Sequence, residues 1–271
     1  MDTIVLSVLT VTVIGILCAV MLAIASKVMA VKTDERLPEI RETLPGVNCG
    51  ACGYPGCDGY AAALLTGSVK TNLCIPGGDA VAKKLSEKLG LAYEDVLEKV
   101  AVVHCCGDCS ATKDKMDYQG IRTCSAAKLL YGGKGSCSFG CLGFGDCAHV
   151  CPTGAICMDD GIARVISRLC TGCGLCVSAC PKGIISTIPD VARVAVTCSN
   201  TDKGAIVRPV CSRGCIACKR CEKECPVGAI VVENNLAVID YGKCTGCGRC
   251  AEVCPVNCIL FADFSGANKQ K

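Results

Sequence analysis

The pattern of apolar and polar residues separates an uncharged N-terminal run from a long remainder of short segments. Thr3–Ser26 carries no charged residue. At about 1.5 Å per residue it exceeds the roughly 30 Å hydrocarbon core of a bilayer. We therefore predict a membrane-spanning helix within residues 1–27. A cleaved signal peptide is the alternative, because residues 23–25 resemble a cleavage site, but Asp2 and the lack of a leading basic residue favour an uncleaved anchor.

The residues after the span are basic and predict its orientation. Lys27, Lys32 and Arg36 lie just beyond the apolar run, and positive charge accumulates on the cytoplasmic side of membrane proteins. We expect a single-pass protein of the inner (cytoplasmic) membrane, in contact with lipid, whose C-terminal part faces the cytoplasm. A reducing compartment also suits the many thiols of that part.

The polar remainder alternates short helical and extended segments. Residues 28–45 have mixed charge and are expected to form a tether. Helices are predicted at 58–65 and 80–89, the second capped by Asp79, and a short apolar strand is predicted at 99–103.

Apolar segments recur at regular places in the second half of the chain. An apolar pair follows Cys-Pro dipeptides, as at 155–156 and 184–185, and longer apolar segments occupy 161–166 and 235–240. This order predicts a β-α-β-β-α-β unit that occurs twice.

The cysteine content changes the expected nature of the core. The chain has 29 Cys among 271 residues, above the 8–10% that marks a cysteine scaffold. They fall into C-x2-C runs in a chain that is not a short secreted domain, which favours metal over disulfides. Aromatic residues make up 4% of the chain and Trp is absent, so we expect metal clusters to replace much of a conventional core. A net charge of +3, with no aromatic-interleaved basic patch, argues against nucleic acid as a partner.

Two runs near the C-terminus have the spacing of a bacterial two-cluster ferredoxin, C-x2-C-x2-C-x3-C-P. In that arrangement three thiolates of one run hold a [4Fe-4S] cubane, and the fourth crosses to the other cluster. The predicted ligand sets are Cys215, Cys218 and Cys221 with Cys254, and Cys244, Cys247 and Cys250 with Cys225. Zinc also binds paired C-x2-C, but it has no use for four closely spaced Cys before Pro, twice over.

An earlier pair of runs is similar but less regular. One run is intact, whereas its partner has Phe144 where the second ligand would fall. Cys137 is the nearest Cys that could replace it. The expected sets are Cys137, Cys141 and Cys147 with Cys180, and Cys170, Cys173 and Cys176 with Cys151.

Four further cysteines lie close together after the tether. Cys49, Cys52, Cys57 and Cys74 have the spacing C-x2-C-x4-C-x16-C. Glycines among them allow tight turns whose N–H groups face sulfur. We predict one cubane here, with zinc as the alternative because the spacing is unusual.

The remaining cysteines of the polar part have no regular spacing. Cys105, Cys106, Cys109 and Cys124, alone or with Cys137, are candidates for a further cluster or are buried thiols, whereas Cys157, Cys198, Cys211 and Cys258 are expected to pack without a metal. The expected cofactors are at least five [4Fe-4S] clusters, with a sixth left open.

The expected fold class is α+β, with an N-terminal transmembrane helix, a small 4Fe-4S cluster domain and two tandem ferredoxin-like units that each hold two [4Fe-4S] clusters. The expected boundaries are a transmembrane anchor at 1–27, a tether at 28–45, an N-terminal 4Fe-4S domain at 46–92, a connecting segment at 93–136, ferredoxin-like unit 1 at 137–190, a linker at 191–210, ferredoxin-like unit 2 at 211–262 and a disordered tail at 263–271.

The chain carries no G-x-G-x-x-G after a strand and no Walker A motif, so neither catalytic residues nor an NAD or flavin site is expected. Clusters in series beside a membrane indicate transfer of single electrons between partners. Basic residues among the last ligand runs would suit an acidic ferredoxin, although a solvated face is the simpler interpretation: Lys219, Arg220, Lys223 and Arg249.

The order of these parts resembles that of the Rnf-complex B subunits. The resemblance depends on the N-terminal helix, N-C-G-A-C-G-Y-P-G-C, Y-Q-G-I-R-T-C-S-A-A, G-C-L-G-F-G-D-C and the paired ferredoxin runs, and it covers residues 1–260. It implies membership of an ion-translocating ferredoxin:NAD+ oxidoreductase complex. Such a chain takes electrons from reduced soluble ferredoxin and passes them to membrane subunits, while other chains hold NAD and flavin.

Two other functions stay open from the sequence. One is an anchored polyferredoxin component of a hydrogenase or another dehydrogenase. The other is an iron–sulfur sensor or scaffold, which would need a signalling or nucleic-acid domain that the motifs do not indicate.

Overall fold

The apolar N-terminal run forms one long helix, and the cysteine-rich remainder forms short helices joined by two-stranded sheets. The structure is a computed structural model that describes residues 2–28, 36–67 and 69–262. It divides the chain into two units, Met1–Glu39 and Ile40–Lys271. The tail expected at 263–271 lies outside the described residues.

The helices are α1 (Asp2–Val28), α2 (Arg36–Thr43), α3 (Gly56–Leu65), α4 (Gly78–Leu89), α5 (Cys124–Leu129), α6 (Asp146–His149), α7 (Leu175–Ala179), α8 (Gly204–Val210), α9 (Arg220–Glu224) and α10 (Arg249–Glu252), with a 3-10 turn at Ser167–Leu169. The strands are β1 (Lys99–Val103), β2 (Ile156–Asp159), β3 (Ile162–Val165), β4 (Ile185–Pro189), β5 (Val194–Val196), β6 (Ile230–Glu233), β7 (Leu236–Ile239) and β8 (Ile259–Phe261).

Helix α1 contains the predicted span. Val5–Lys27 is long and apolar enough to cross a bilayer, and its side chains are exposed. An all-round apolar surface of this length suits lipid rather than water. The helix is therefore a candidate membrane span.

The segment expected to be a tether is partly helical. Residues 29–35 lie outside the described part, but α2 follows them. Pro38 is accommodated because it lies in the first turn, where its missing N–H is not needed. Ile40 and Leu44 are buried, and Arg41 Nε donates to Asp58 Oδ1 at 2.6 Å. The end of α2 is therefore attached to the domain that follows.

Helices α3 and α4 form the small domain around the first four cysteines. Tyr60, Leu64 and Leu85 are its largest fully buried side chains, and the Tyr60 hydroxyl donates to the Lys70 carbonyl at 2.8 Å. The expected N-cap of α4 is wrong. Asp79 lies inside the first turn, where its carboxylate accepts the N–H of Val96 at 2.8 Å instead of capping the helix.

Each ferredoxin-like unit consists of a central hairpin and a pair of terminal strands. In the first unit β2 and β3 form the hairpin, and β4 pairs antiparallel with β1. In the second, β6 and β7 form the hairpin and β8 pairs with β5. The first strand of each unit therefore comes from a segment expected to be a connector or a linker, 93–136 or 191–210. Each unit starts earlier than its Cys runs suggest, because the strand that completes it precedes an insertion.

His104 connects the two ferredoxin-like units. Its Nδ1 lies 2.6 Å from the Val196 carbonyl of β5, and its Nε2 lies 2.6 Å from Ser186 Oγ of β4. The Ser199 hydroxyl donates to the His104 carbonyl at 2.7 Å. Sequence reasoning gave this residue no role; the structure shows a half-buried polar bridge between the terminal strands of both units.

The contact between a ligand loop and β1 can be tested with a matched pair of glycines. Gly172 and Gly174 both have positive φ, 66° and 75°. A methyl group on Gly172 would collide with the Lys99 carbonyl oxygen, whereas one on Gly174 meets nothing within 4 Å. Both alanine variants incur about 1–2 kcal/mol of left-handed strain. We expect Gly172→Ala alone to carry a further cost, which appears as a clearly lower Tm in anaerobic thermal unfolding. Equal Tm values would contradict the close packing of this loop on β1.

Candidate iron–sulfur centres

The ligand loops of the regular runs share one backbone shape. Between the first and third Cys, two residues adopt left-handed φ and turn the chain around a common centre. These pairs are Gly172 and Gly174, Gly246 and Gly248, and Ala217 and Lys219. Ala217 and Lys219, at φ 53° and 59°, adopt a conformation that costs non-glycine residues about 1–3 kcal/mol. The loop geometry therefore follows the spacing of the cysteines even where glycine is absent.

The N-terminal set is brought together by α3 and α4. Cys74 lies close enough to Cys57, Cys49 and Cys52 for all three to interact with it electrostatically. Burial raises the pKa of the Cys74 thiol to about 11, although the Gly77 N–H opposes this. Four thiols around one point are the donor set of a cubane.

In unit 1, the three thiols of the regular run lie close to the fourth Cys of the irregular run. Cys176 interacts with Cys170, Cys173 and Cys151, and burial together with these neighbours raises the pKa of its thiol to about 11. Backbone N–H groups point at two of the sulfurs: Ala101 N lies 3.4 Å from Cys170 Sγ, and Ala155 N lies 3.2 Å from Cys151 Sγ. Such N–H···S bonds are typical around cluster thiolates.

Unit 2 contains the two corresponding groups. Cys221 interacts with Cys215, Cys218 and Cys254, and burial is the largest cause that raises the pKa of its thiol, to about 11. The second group lines a cavity of about 20 Å³ whose thiols are Cys225, Cys244, Cys247 and Cys250.

Cys258 is a fifth thiol beside the first of these groups. It is buried, and its Sγ lies 3.7 Å from Cys254 Sγ. A hydrogen bond from Cys258 lowers the pKa of Cys254 to about 5. The residue was expected only to pack; here its sulfur also contacts a candidate ligand.

The thiols of the irregular run of unit 1 are grouped with Cys124 rather than with Cys137. Cys147 interacts with Cys141, Cys124 and Cys180, and burial followed by these three neighbours raises the pKa of its thiol to about 12. The same four thiols line a cavity of about 20 Å³. The structure thus differs from the expected set, in which Cys137 replaced the missing second ligand because it was nearest in sequence.

Asp146 explains how Cys124 reaches this position. Its carboxylate accepts the N–H of Cys124 at 2.8 Å and that of Ser125 at 3.0 Å, which attaches the start of α5 to the start of α6. Burial alone would raise the pKa of Asp146, but these hydrogen bonds hold it below its usual value. The spacing of the irregular run could not identify Cys124 as a ligand, because Cys124 lies on a separate helix, α5.

Cys137 lies in a different cavity with cysteines from three other segments. The cavity measures about 30 Å³, and its lining includes Cys105, Cys106, Cys137, Cys198 and Cys211. Burial raises the pKa of the Cys105 thiol to about 12 and that of Cys198 to about 11. Of the other candidates, Cys109 and Cys157 are exposed and do not line this cavity.

The donor sets fit a cubane in kind and arrangement. Across the described residues, no group of three or more His, Cys, Asp or Glu side chains is drawn together as the ligands of a single ion would be. At two sites the four thiols line a cavity, and backbone N–H groups face Cys141 Sγ and Cys225 Sγ.

Comparison with protein-family models finds iron–sulfur domains along the polar part of the chain. A model described as an Fe-S cluster matches residues 44–76, and an LdpA Fe-S cluster-binding domain matches 134–191. A 4Fe-4S dicluster domain matches 169–229, and a 4Fe-4S binding domain matches 237–260. With the mixed helices and strands described above, these matches confirm the expected fold class.

Comparison with curated proteins finds relatives over most of the chain, each of them the B subunit of its complex. That of the Na(+)-translocating ferredoxin:NAD(+) oxidoreductase complex of Acetobacterium woodii is 44% identical over 86% of this chain and 70% of its own length. That of the proton-translocating ferredoxin:NAD(+) oxidoreductase complex of Clostridium ljungdahlii is 43% identical over 90% of this chain and 87% of its own length. That of the ion-translocating oxidoreductase complex of Methanosarcina acetivorans is 40% identical over 85% and 88%.

Replacing Cys124 tests whether it is a ligand of the same cluster as Cys141, Cys147 and Cys180. We expect Cys124→Ala to abolish the EPR signal of one reduced cubane and to lose about one to four irons per chain, because a cubane with a missing ligand is degraded or lost. Anaerobic iron and sulfide assays with EPR measure this. The matched control is Cys157→Ala, since Cys157 is an exposed cysteine of β2 whose thiol donates to the Arg164 carbonyl. Unchanged iron and EPR spectra in Cys124→Ala would contradict the grouping.

Proposed function

The chain belongs to the family of B subunits of ion-translocating oxidoreductase (Rnf) complexes, and from this premise we propose how its clusters carry electrons. The resemblance indicated by the sequence motifs is thereby confirmed, and the chain is the iron–sulfur electron-transfer component of such a complex. In our proposal it accepts single electrons from a reduced soluble ferredoxin and passes them to the membrane subunits of its complex. NAD and flavin are held by other chains of that complex.

The proposed cofactors are at least five [4Fe-4S] clusters. Four of the ligand sets come from the spacing of the runs, and one is revised by the position of Cys124. The sets are Cys49, Cys52, Cys57 and Cys74; Cys124, Cys141, Cys147 and Cys180; Cys170, Cys173, Cys176 and Cys151; Cys215, Cys218, Cys221 and Cys254; and Cys244, Cys247, Cys250 and Cys225.

The observation that carries the relay is that neighbouring sites adjoin one another. Cys49 of the N-terminal set interacts electrostatically with Cys173 of unit 1. Unit 1 in turn contacts unit 2 through the His104 bridge between β4 and β5. An electron entering at one end therefore meets a series of nearby clusters, whose potentials are set by burial, charge and N–H···S bonds.

We place ferredoxin docking on the outer surface of unit 2. Cys218 and Cys247 are exposed there, so two clusters approach the surface. Lys223 and Arg249 are also exposed and lie within three residues of a ligand Cys. Exposed Glu224 and Glu252 lie beside these two basic side chains. In the proposal Lys223 and Arg249 pair with acidic groups of the electron donor next to an accessible cluster, which speeds the encounter.

The membrane anchor determines where the relay works. In the proposal α1 crosses the inner membrane, and Lys27 in its last turn keeps the C-terminal end on the cytoplasmic side. The tethered clusters then stay near the membrane subunits, which raises their effective concentration at the acceptor.

Charge reversal tests the docking surface. We expect Lys223→Glu/Arg249→Glu to lower the rate at which reduced ferredoxin reduces the clusters by about tenfold at low salt, because long-range attraction controls the encounter. The difference should shrink as added salt shortens the Debye length. Stopped-flow absorbance measures the rate, with dithionite reduction as a check that the clusters are intact. Lys83→Glu is the control, since Lys83 is an exposed residue of α4 in the N-terminal domain. Equal rates in both variants, at every salt concentration, would rule out this surface.

Protease accessibility tests the orientation. Trypsin added to inverted membrane vesicles should remove the iron–sulfur part, whereas trypsin added to sealed spheroplasts should leave it intact. Immunoblotting with an antibody against unit 2 reads the result. Digestion in spheroplasts but not in inverted vesicles would reverse the proposed topology.

A further inference from the structure

The cavity that contains Cys137 lies between the two ferredoxin-like units. Residues 104–107 follow β1 of unit 1, whereas residues 197–200 follow β5 of unit 2, and both segments line it. Its other walls come from the loop at 135–141 and the turn at 211–214. At about 30 Å³ it is at least as large as the cavities at the two four-thiol sites, about 20 Å³ each.

We propose that this cavity holds a sixth [4Fe-4S] cluster, ligated by Cys105, Cys137, Cys198 and Cys211, which connects the two ferredoxin-like units. The inference deepens the proposed function and rests on it for the direction of electron flow, but the site itself is argued from geometry alone. Four segments of the chain each supply one sulfur, so the spacing of the cysteines in the sequence does not predict this site.

Six cysteines line the cavity, and one of them, Cys141, belongs to the ligand set of unit 1. The contacts of the other five distinguish the four proposed ligands from Cys106. Cys105 Sγ accepts the N–H of Cys141 at 3.4 Å, and Cys198 Sγ accepts the N–H of Cys215 at 3.3 Å. The backbone N–H groups of Arg213 and Gly214 face the Cys211 sulfur. Sulfurs that accept backbone N–H groups match the pattern at the regular sites, where Ala155 and Ala229 donate to Cys151 and Cys225.

A buried amide completes the set of donors. Asn200 is 2% exposed, and its Nδ2 donates to Cys137 Sγ at 3.5 Å. Its Oδ1 is occupied by the N–H of Asp202 at 2.7 Å, which fixes the orientation of the amide. A cubane with four thiolates is an anion, and an N–H donor aimed at a ligand sulfur stabilises it.

Cys106 differs from the other four thiols. Its Sγ lies 3.5 Å from the carbonyl oxygen of Arg213, an acceptor that a ligand thiolate would face unfavourably, although the Thr197 hydroxyl also faces this sulfur. Cys105 packs against the core of unit 1, whereas Cys106 packs against that of unit 2. Cys106 therefore provides a matched control on the same wall of the cavity.

An ion pair closes the cavity on one side. Arg213 Nη1 lies 2.9 Å from Asp108 Oδ2, and Asp108 is almost fully buried. The Thr112 hydroxyl donates to the Val210 carbonyl at 2.8 Å, and Thr112 forms a β-bridge with Cys211. The turn that carries Cys211 is thus fixed against the segment that carries Cys105, as a shared cluster requires.

The position explains what the cluster would do. Cys141, a proposed ligand in unit 1, is hydrogen-bonded through its N–H to Cys105 Sγ, and Cys215, a proposed ligand in unit 2, is bonded in the same way to Cys198 Sγ. A reduced cluster on one side gives one electron to the sixth cubane, which passes it to an oxidised cluster on the other. No bond is formed or broken, and the sixth cubane returns to its starting state.

Metal counting on the anaerobically purified full chain tests the site. Six cubanes predict about 24 irons and as many sulfides per chain, whereas five predict about 20. We expect Cys137→Ala/Cys211→Ala to lose about four irons and one reducible EPR species, because two ligands cannot hold a cubane. Cys106→Ala should match the wild type.

Each outcome decides the proposal. A wild-type count near that of five cubanes, zinc in place of iron, or an unchanged count in the double variant overturns it. If the double variant fails to fold, the wild-type count still decides, and Cys105→Ser/Cys198→Ser gives a second reading of the same loss. Dithionite serves as the reductant throughout, so the site can be confirmed even if ferredoxin proves not to be the donor. Failure with ferredoxin alone would refute the proposed function and leave the sixth cluster intact.

Discussion

Several buried sulfurs that share one cavity are the constraint on which this fold depends. Desolvation and mutual repulsion keep such thiols protonated, as the raised pKa values of Cys74, Cys147 and Cys176 indicate. Bound iron reverses the balance, since a metal deprotonates its thiols outright. The sheets of the described residues have two strands each, and a two-stranded sheet is marginal by itself. Metal–sulfur bonds therefore have to supply much of the free energy of folding in this part of the chain.

The features that the sequence predicted well are those that depend only on residues close together in the chain. Three closely spaced Cys determine a ligand loop, and the hairpin β2–β3 follows from two apolar segments on either side of a turn. Cys124 could not be found in this way. It precedes Cys141 by a whole segment of chain and reaches the site only because Asp146 holds the start of α5. Proximity in sequence favoured Cys137, which the fold carries to the other side of Cys141.

Strand pairing was unpredictable for a related reason. Several short apolar segments have the same two-residue period, and nothing local distinguishes the partner of β4 from the others. The structure pairs it with β1, although the residues between them include an insertion at 104–136 and both Cys runs of unit 1. The insertion matters for function, because it returns Cys105 and Cys137 to the junction of the units. Regular ferredoxin spacing described each pair of clusters but gave no information about the space between the pairs.

Backbone hydrogen bonds from one segment to a ligand sulfur of another also couple neighbouring sites electrostatically. The Ala101 N–H of β1 bonds Cys170 Sγ, and the Cys141 N–H bonds Cys105 Sγ. Cys141 thus supplies its sulfur to one proposed cluster and its amide to a ligand of the next. Hydrogen bonds to sulfur raise the potential of a cluster by stabilising its more negative, reduced state. A change in charge at one cluster therefore acts on the amide that tunes its neighbour. With the proposed ligand sets, the potentials along the relay are linked through the backbone and are not independent properties of separate ferredoxin modules.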